Sequence, residues 1–209
     1  MNNDKYQKEY WQKFASSSDE DFLAKDLNSS WDEKSKSYSN FTEIPEEYIK
    51  FLKNSIAFDK VLDFGVGLGR NQKYLKSIFK DVHGFDLPEM INRYKRIAPE
   101  DTMLFDDFVK IDNDYSLLYE ATVFQHIPPE HVAFYLISLS FKCKYYFSLT
   151  RSYNDFLRNF DKNIGGLNMY HLVMSTNSWE PISYSNLEID KINDETHYYA
   201  LYKSKNNHA

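Results

Sequence analysis

From residue 60 onward the chain alternates short apolar runs with mixed segments whose apolar residues recur at helical spacing. Residues 61–64 predict a buried first strand, and residues 72–79, with Tyr74, Leu75, Ile78 and Phe79 on related turns, predict the helix after it. A second strand over 81–85 leads into a helix over 88–97, opened by Pro88 and stopped near Pro99. A short third strand over 102–105 and a fourth over 115–119 follow, then a helix from Pro128 to Leu139 and a fifth strand over 144–149. Strands separated by helices of this size predict a mostly parallel sheet with right-handed crossovers. The tail reads as a helix over 169–174 and two strands over 186–192 and 196–202, an antiparallel closing pair.

The first 55 residues have a different texture. Tyr6, Tyr10 and Phe14 recur every four residues with Trp11 beside them, and Phe22, Leu23 and Leu27 offer a second short helical face. Pro45, Glu46 and Glu47 then open a helix carrying Tyr48, Ile49, Phe51 and Leu52. This stretch is too small to be a domain. It reads as an N-terminal helical cap or lid (1–55) over one end of a single α/β domain (56–209), with a displaced arm as the alternative. Trp11, Trp31 and Tyr38 are its candidate pocket-covering rings.

At 209 residues one domain with a sizeable core is expected. No apolar stretch approaches the roughly 18 residues that cross a bilayer, and the polar N-terminus carries no apolar signal core, so a cytoplasmic location without membrane partners is the expectation. The single cysteine, Cys143, excludes an internal disulfide framework and a multi-cysteine zinc site. No HxH or HExxH spacing points to metal, and none is expected. A formal net charge of −6 argues against broad contact with a phosphate backbone and disfavours nucleic acid as partner.

The chemistry concentrates at the ends of the predicted strands. Gly65, Gly67 and Gly69, three of the chain's six glycines, form a turn between the first strand and its helix, where backbone can approach a cofactor. Asp86 ends the second strand 21 positions after Gly65, the distance expected for a carboxylate that holds a nucleotide ribose. In a nicotinamide-type turn the third glycine stands three positions after the second. Here Arg70 occupies that place, Gly69 comes one position early and Asp63 precedes Gly65 by two, which argues against a standard dinucleotide site.

With these motifs the chain, over about 61–202, resembles the class I S-adenosylmethionine-dependent methyltransferases, in particular their small-molecule branch. The resemblance implies an α/β Rossmann-like, mostly parallel seven-stranded sheet with helices on both faces and a C-terminal antiparallel hairpin, under the helical cap. Gly65 and Gly67 would let the loop wrap the methionine and ribose parts of S-adenosyl-L-methionine, with Asp63 acting on the amino group or through loop geometry. Asp86 would take both ribose hydroxyls, since a carboxylate accepts on two oxygens at once, and Leu87 would flank the adenine. After the third strand Asp106 would bond the adenine amino group, with Asp107 as the other register, and Phe108 would contact the ring. Glu120 and Ala121 would lie beside the methyl donor. His126 resembles the histidine of the apolar-Gln/Glu-His-apolar turn after the fourth strand. An imidazole there can take a proton from a hydroxyl acceptor, or can support the loop.

The resemblance leaves the acceptor less defined than the donor. The chain lacks the Asn/Asp-Pro-Pro-aromatic motif of amine methylation on adenine or glutamine, carrying Glu120, Ala121, Thr122 and Val123 instead, and Cys143 is not a Pro-Cys nucleophile. What remains is a hydroxyl or amine of a small polar metabolite, such as a sugar or polysaccharide precursor, with Arg70 and Arg151 placed to meet a phosphate or carboxylate. The alternatives are methylation of a protein or RNA, and a non-catalytic S-adenosylmethionine-binding scaffold. A homo-oligomer stays open.

Overall fold

The computed structural model describes residues 12, 43–55, 58–151, 169–190 and 195–206. The readings made on residues 6–14 and 22–27, on the rings Trp11, Trp31 and Tyr38, and on the last two residues of the strand expected over 186–192 therefore lie outside the described residues, apart from Gln12.

Helix α1 (Glu46–Ser55) precedes strand β1 (Lys60–Phe64), followed by α2 (Gln72–Lys76), β2 (Asp81–Phe85), α3 (Pro88–Ile97), β3 (Leu104–Phe105) and β4 (Tyr115–Ala121). Helix α4 (Pro129–Ser140), β5 (Cys143–Arg151), α5 (Met169–Ser175), β6 (Trp179–Asp190) and β7 (Glu195–Ser204) complete the order. The seven strands form one sheet in the order β3-β2-β1-β4-β5-β7-β6. Strands β1 to β5 pair in parallel, and β7 runs antiparallel to both β5 and β6. The fold is the Rossmann-like sheet with a C-terminal hairpin that the sequence predicts.

Burial on both faces explains why these strands read as near-continuous apolar runs. On one face Leu62, Phe64, Leu118 and Tyr146 pack with Val132, Leu136 and Leu139 of α4 and with Met169 and Val173 of α5. On the other, Val61, Leu117, Tyr119 and Phe147 pack with Tyr48 and Leu52 of α1 and Leu75 of α2. Every residue of β4 is buried, as befits a strand near the middle of the sheet.

The elements differ from their sequence signals mainly at the ends. Helix α2 stops at Lys76, because Ser77 to Phe79 turn to bring the buried Phe79 ring against Phe58. Strand β6 begins at Trp179, seven residues before the predicted start at 186. Pro181 and a register shift between Pro181 and Ser183 interrupt the alternation that would have revealed it. An edge strand tolerates both. Trp179 anchors that early start, since its buried Nε1 donates to the Leu136 carbonyl of α4 at 2.9 Å.

The strand order has one consequence for function. The chain steps outward from β1 to β2 and β3, then returns to β4 on the other side of β1, so crossovers leave these two strands in opposite directions. A crevice opens beyond the carboxyl ends of strands at such a switch point, where ligands bind in sheets of this kind. The glycine turn after β1 and the turn after β4 are its two walls, and Phe64 is in register with Glu120.

Candidate functional site

All three glycines of the first wall have positive φ: +79° at Gly65, +56° at Gly67 and +79° at Gly69. Their surroundings differ. A Cβ at Gly65 would lie 2.3 Å from Cγ2 of Val123, and one at Gly69 would lie 2.4 Å from the Tyr94 ring. At Gly67 a Cβ would meet nothing within 4 Å among the described residues. Gly65 and Gly69 are thus demanded by neighbouring side chains, and Gly67 alone faces open space.

Asp86 ties that open turn to the end of β2. Its Oδ2 accepts from the Gly67 amide at 2.8 Å and its Oδ1 from the Leu87 amide at 2.7 Å. Leu87, Leu68 of the glycine turn and Met90 of α3 form a small apolar group beside the carboxylate. Asp63 sits behind the turn, 1 % exposed, accepting from Gln72 Nε2 at 2.8 Å. Burial pushes its carboxyl up to about 7, against the Gln72 hydrogen bond that favours the charge. Its side chain braces the turn against α2. Tyr94 braces Gly69 from α3, with its hydroxyl donating to Asp101, which also pairs with Lys76.

Strands β2 and β3 pair Phe85 with Phe105, so Asp86 and Asp106 leave neighbouring strands at one level. The Asp106 carboxylate pairs with Lys110 at 3.3 Å, and the hydrogen bond and charge of that lysine hold it below the usual carboxylate range. Asp107 caps a 3-10 turn (Phe108–Lys110), accepting from the Val109 amide at 3.0 Å. The Phe108 ring lies among Phe85, Phe134 and Tyr135, with centroids 5.9, 5.7 and 5.0 Å away.

The second wall begins where β4 ends. Thr122 has φ +63°, a strained value for a β-branched residue, costing of order 1–3 kcal/mol. Val123 follows, packed on Gly65, and a 3-10 turn (Phe124–His126) carries the chain to α4. Glu120 is fully buried, its carboxylate accepting from the Val123 and Phe124 amides at 2.6 and 3.0 Å, the Ser148 hydroxyl at 3.0 Å and the Tyr146 hydroxyl at 3.4 Å. Burial pushes it up to about 7 despite those four bonds. Ala121 is buried beside Tyr119 and Leu149 on the opposite sheet face. His126 is half-buried at the end of the turn, its Nε2 3.2 Å from Gln125 Nε2, while Gln125 Oε1 accepts from Thr150 at 3.2 Å.

The structure therefore joins Gly67, Asp86 and Leu87 by direct hydrogen bonds and places Asp106, Asp107 and Phe108 on the adjoining strand end. Asp63 and Glu120 instead face inward, each sealed behind one wall. Gln72, Tyr94 and Thr150 escape sequence reasoning, because nothing in their spacing marks them, and Val123 and Gln125 stand in the motif after the fourth strand without a role assigned to them. Arg70 is exposed, and Arg151 is the last residue of β5. Among the described residues no group of histidine, cysteine, aspartate or glutamate is arranged to hold a metal ion, and no helix is long and apolar enough to cross a membrane.

No protein-family model matches the sequence, and no curated protein matches it. Solved structures do. A S-adenosylmethionine-dependent methyltransferase from Clostridium acetobutylicum aligns with a TM-score of 0.64 at 15% identity, over 93% of this chain and 98% of that one. The fold is that of the class I methyltransferases. Magnesium protoporphyrin IX methyltransferase from Synechocystis, with bound S-adenosylhomocysteine, gives 0.61 at 12% identity, over 98% of this chain and 97% of that one. The N-methyltransferase NodS from Bradyrhizobium japonicum gives 0.56 at 10% identity, covering 81% and 98%. Within the class I methyltransferase fold, the turn bearing Gly67 and the end of β2 bearing Asp86 occupy the crevice where the sheet order reverses.

Proposed function

We propose that the chain transfers a methyl group from S-adenosyl-L-methionine to a hydroxyl or amine of a small polar metabolite. One observation carries the reading: the space that the described residues leave open at Gly67 adjoins a carboxylate, Asp86, that already curls the turn toward it. Asp86 accepts the Gly67 amide on one oxygen and the Leu87 amide on the other, and a carboxylate oxygen can accept more than one hydrogen bond, so the pair of oxygens suits two adjacent ribose hydroxyls. Leu68, Leu87 and Met90 supply an apolar surface for a purine, and Asp106 lies beside it for the exocyclic amine. The residues fit the nucleoside, with Gly67, Asp86, Leu87 and Asp106 to hold it and Phe108 beside it.

When bound, S-adenosylmethionine supplies a methyl on a sulfonium, an electrophile that needs little further activation. The protein's tasks are then alignment and, for a hydroxyl acceptor, removal of one proton. His126 ends the turn after β4 and is our candidate for that proton; its Nε2, which meets the Gln125 amide, would exchange that contact for the acceptor hydroxyl. The N-terminal segment, as a lid over the domain of residues 56–209, would close the crevice. The soluble, cytoplasmic setting of a metabolite enzyme fits the absence of a membrane-spanning helix among the described residues.

Calorimetric titration with S-adenosylhomocysteine, with NAD in parallel, tests the donor site. Binding of the former alone supports the reading and justifies a mass-spectrometric screen of metabolite acceptors. A preference for NAD overturns it.

A further inference from the structure

The two walls of the crevice are mechanically linked, and the link runs through a carboxylate that cannot touch a ligand. Four hydrogen bonds occupy the four lone-pair sites of Glu120, and the residue is fully buried. One oxygen holds the Val123 and Phe124 amides, and the other is anchored to β5 through Ser148 and Tyr146. The held segment starts with Thr122 at φ +63°, a conformation that would relax if the following amides were released. Val123 then fills the volume that Gly65 leaves by having no side chain, with contact so close that a Cβ on Gly65 would overlap it. Displacing Val123 removes the packing that defines the start of the glycine turn.

We propose that Glu120 is a positioning residue of the donor site: by clamping the Val123 and Phe124 amides to β5 it seats Val123 against Gly65 and fixes the turn that presents Gly67 to the cofactor. This rests on the reading of that turn as the donor cradle. A side chain of this length suits the position because a serine or asparagine side chain is too short to hold two amides and reach β5 as well. The same clamp starts the Phe124–His126 turn, so one buried group sets both the donor wall and the base of the acceptor wall.

The test is a double-mutant cycle between Glu120→Ala and Val123→Ala, with Glu120→Gln as the conservative variant. Two quantities are read: affinity for S-adenosylhomocysteine by calorimetry, and the amide ¹H–¹⁵N resonance of Gly65 in the free protein. Each alanine variant is expected to shift the Gly65 resonance and weaken binding by roughly five- to thirtyfold, and the double variant to be little worse than either alone. Glu120→Gln keeps an acceptor for both amides, and the β5 hydroxyls can turn to accept from its NH₂, so it restores affinity to within about twofold. Should Glu120→Ala fail to fold, Ser148→Ala loosens the same anchor and takes its place in the cycle. A Gly65 resonance unmoved by Val123→Ala, or effects that multiply in the double variant, overturns the proposal. If the wild-type protein does not bind S-adenosylhomocysteine the donor reading fails, and the Gly65 resonance alone then judges the linkage.

Discussion

Replacing Gly67 with alanine separates a glycine kept for a ligand from one kept for packing. At φ +56° the alanine enters the left-handed region, which costs about 1–2 kcal/mol. Its methyl meets no atom of the described residues within 4 Å, so they add no packing penalty. Gly69→Ala carries a similar backbone cost at φ +79° and also drives a methyl to 2.4 Å from the Tyr94 ring. Overpacking of that kind adds about 1–3 kcal/mol, so Gly69→Ala should lose roughly 2–5 kcal/mol in all. Urea denaturation of the two variants is expected to rank them in that order.

Binding should show the reverse emphasis at Gly67. A methyl placed where the nucleoside is to lie produces in the complex the overlap that it avoids in the free protein, about 1–3 kcal/mol or roughly five- to 150-fold in affinity. Calorimetry with S-adenosylhomocysteine on the well-folded Gly67→Ala protein reads this directly. Unchanged affinity would refute the placement of the cofactor at Gly67. A stability loss equal to that of Gly69→Ala would show that the space is not open.

Asp86→Ala removes both proposed ribose contacts and releases the Gly67 and Leu87 amides. At about 1.5 kcal/mol per hydrogen bond to a charged group, S-adenosylhomocysteine affinity should fall on the order of 100-fold, and an unchanged dissociation constant would remove Asp86 from the site. His126→Ala should reduce turnover of a hydroxyl acceptor by about 100-fold with donor affinity intact; equal loss of both would make the residue structural. Asp63 titrates near 7 in the folded protein against an ordinary value of 3.8. Folding therefore favours its protonated form: the contribution to stability is fully present below about pH 4 and is lost as pH rises through about 7. Asp63→Asn keeps an acceptor for Gln72 and should flatten the decline in urea stability between pH 5 and 8 by about 2–3 kcal/mol, whereas parallel pH profiles would contradict the assignment.

The fold was legible because the central strands β1, β4 and β5 are buried on both faces and the crossover helices keep their own period, so most element types followed from pattern alone. Strand β6 was hidden for a physical reason. Its first half earns its place through Trp179 reaching a carbonyl on α4, a contact 43 residues away in sequence, and Pro181 with the bulge beside it erases the alternation. Local pattern cannot announce a strand that tertiary contacts hold.

The candidate site was legible in composition and less so in direction. The motif 63–69 predicts one ligand loop, yet the same residue type answers three different demands there: Val123 at Gly65, open space at Gly67 and the Tyr94 ring at Gly69. Acidic residues divide in the same way. Asp86 and Glu120 both lie at strand ends and both accept backbone amides, but Asp86 is half-buried beside the glycine turn and Glu120 is fully buried with four donors around it. Ser148 and Tyr146, 28 and 26 residues further on, anchor the Glu120 carboxylate inside the sheet, so whether a strand-end acid is a brace or, as proposed for Asp86, a ligand group depends on its neighbours across the sheet. The crevice accordingly requires both kinds, because a turn rich in glycine holds a shape only when buried side chains behind it take away the freedom that glycine gives.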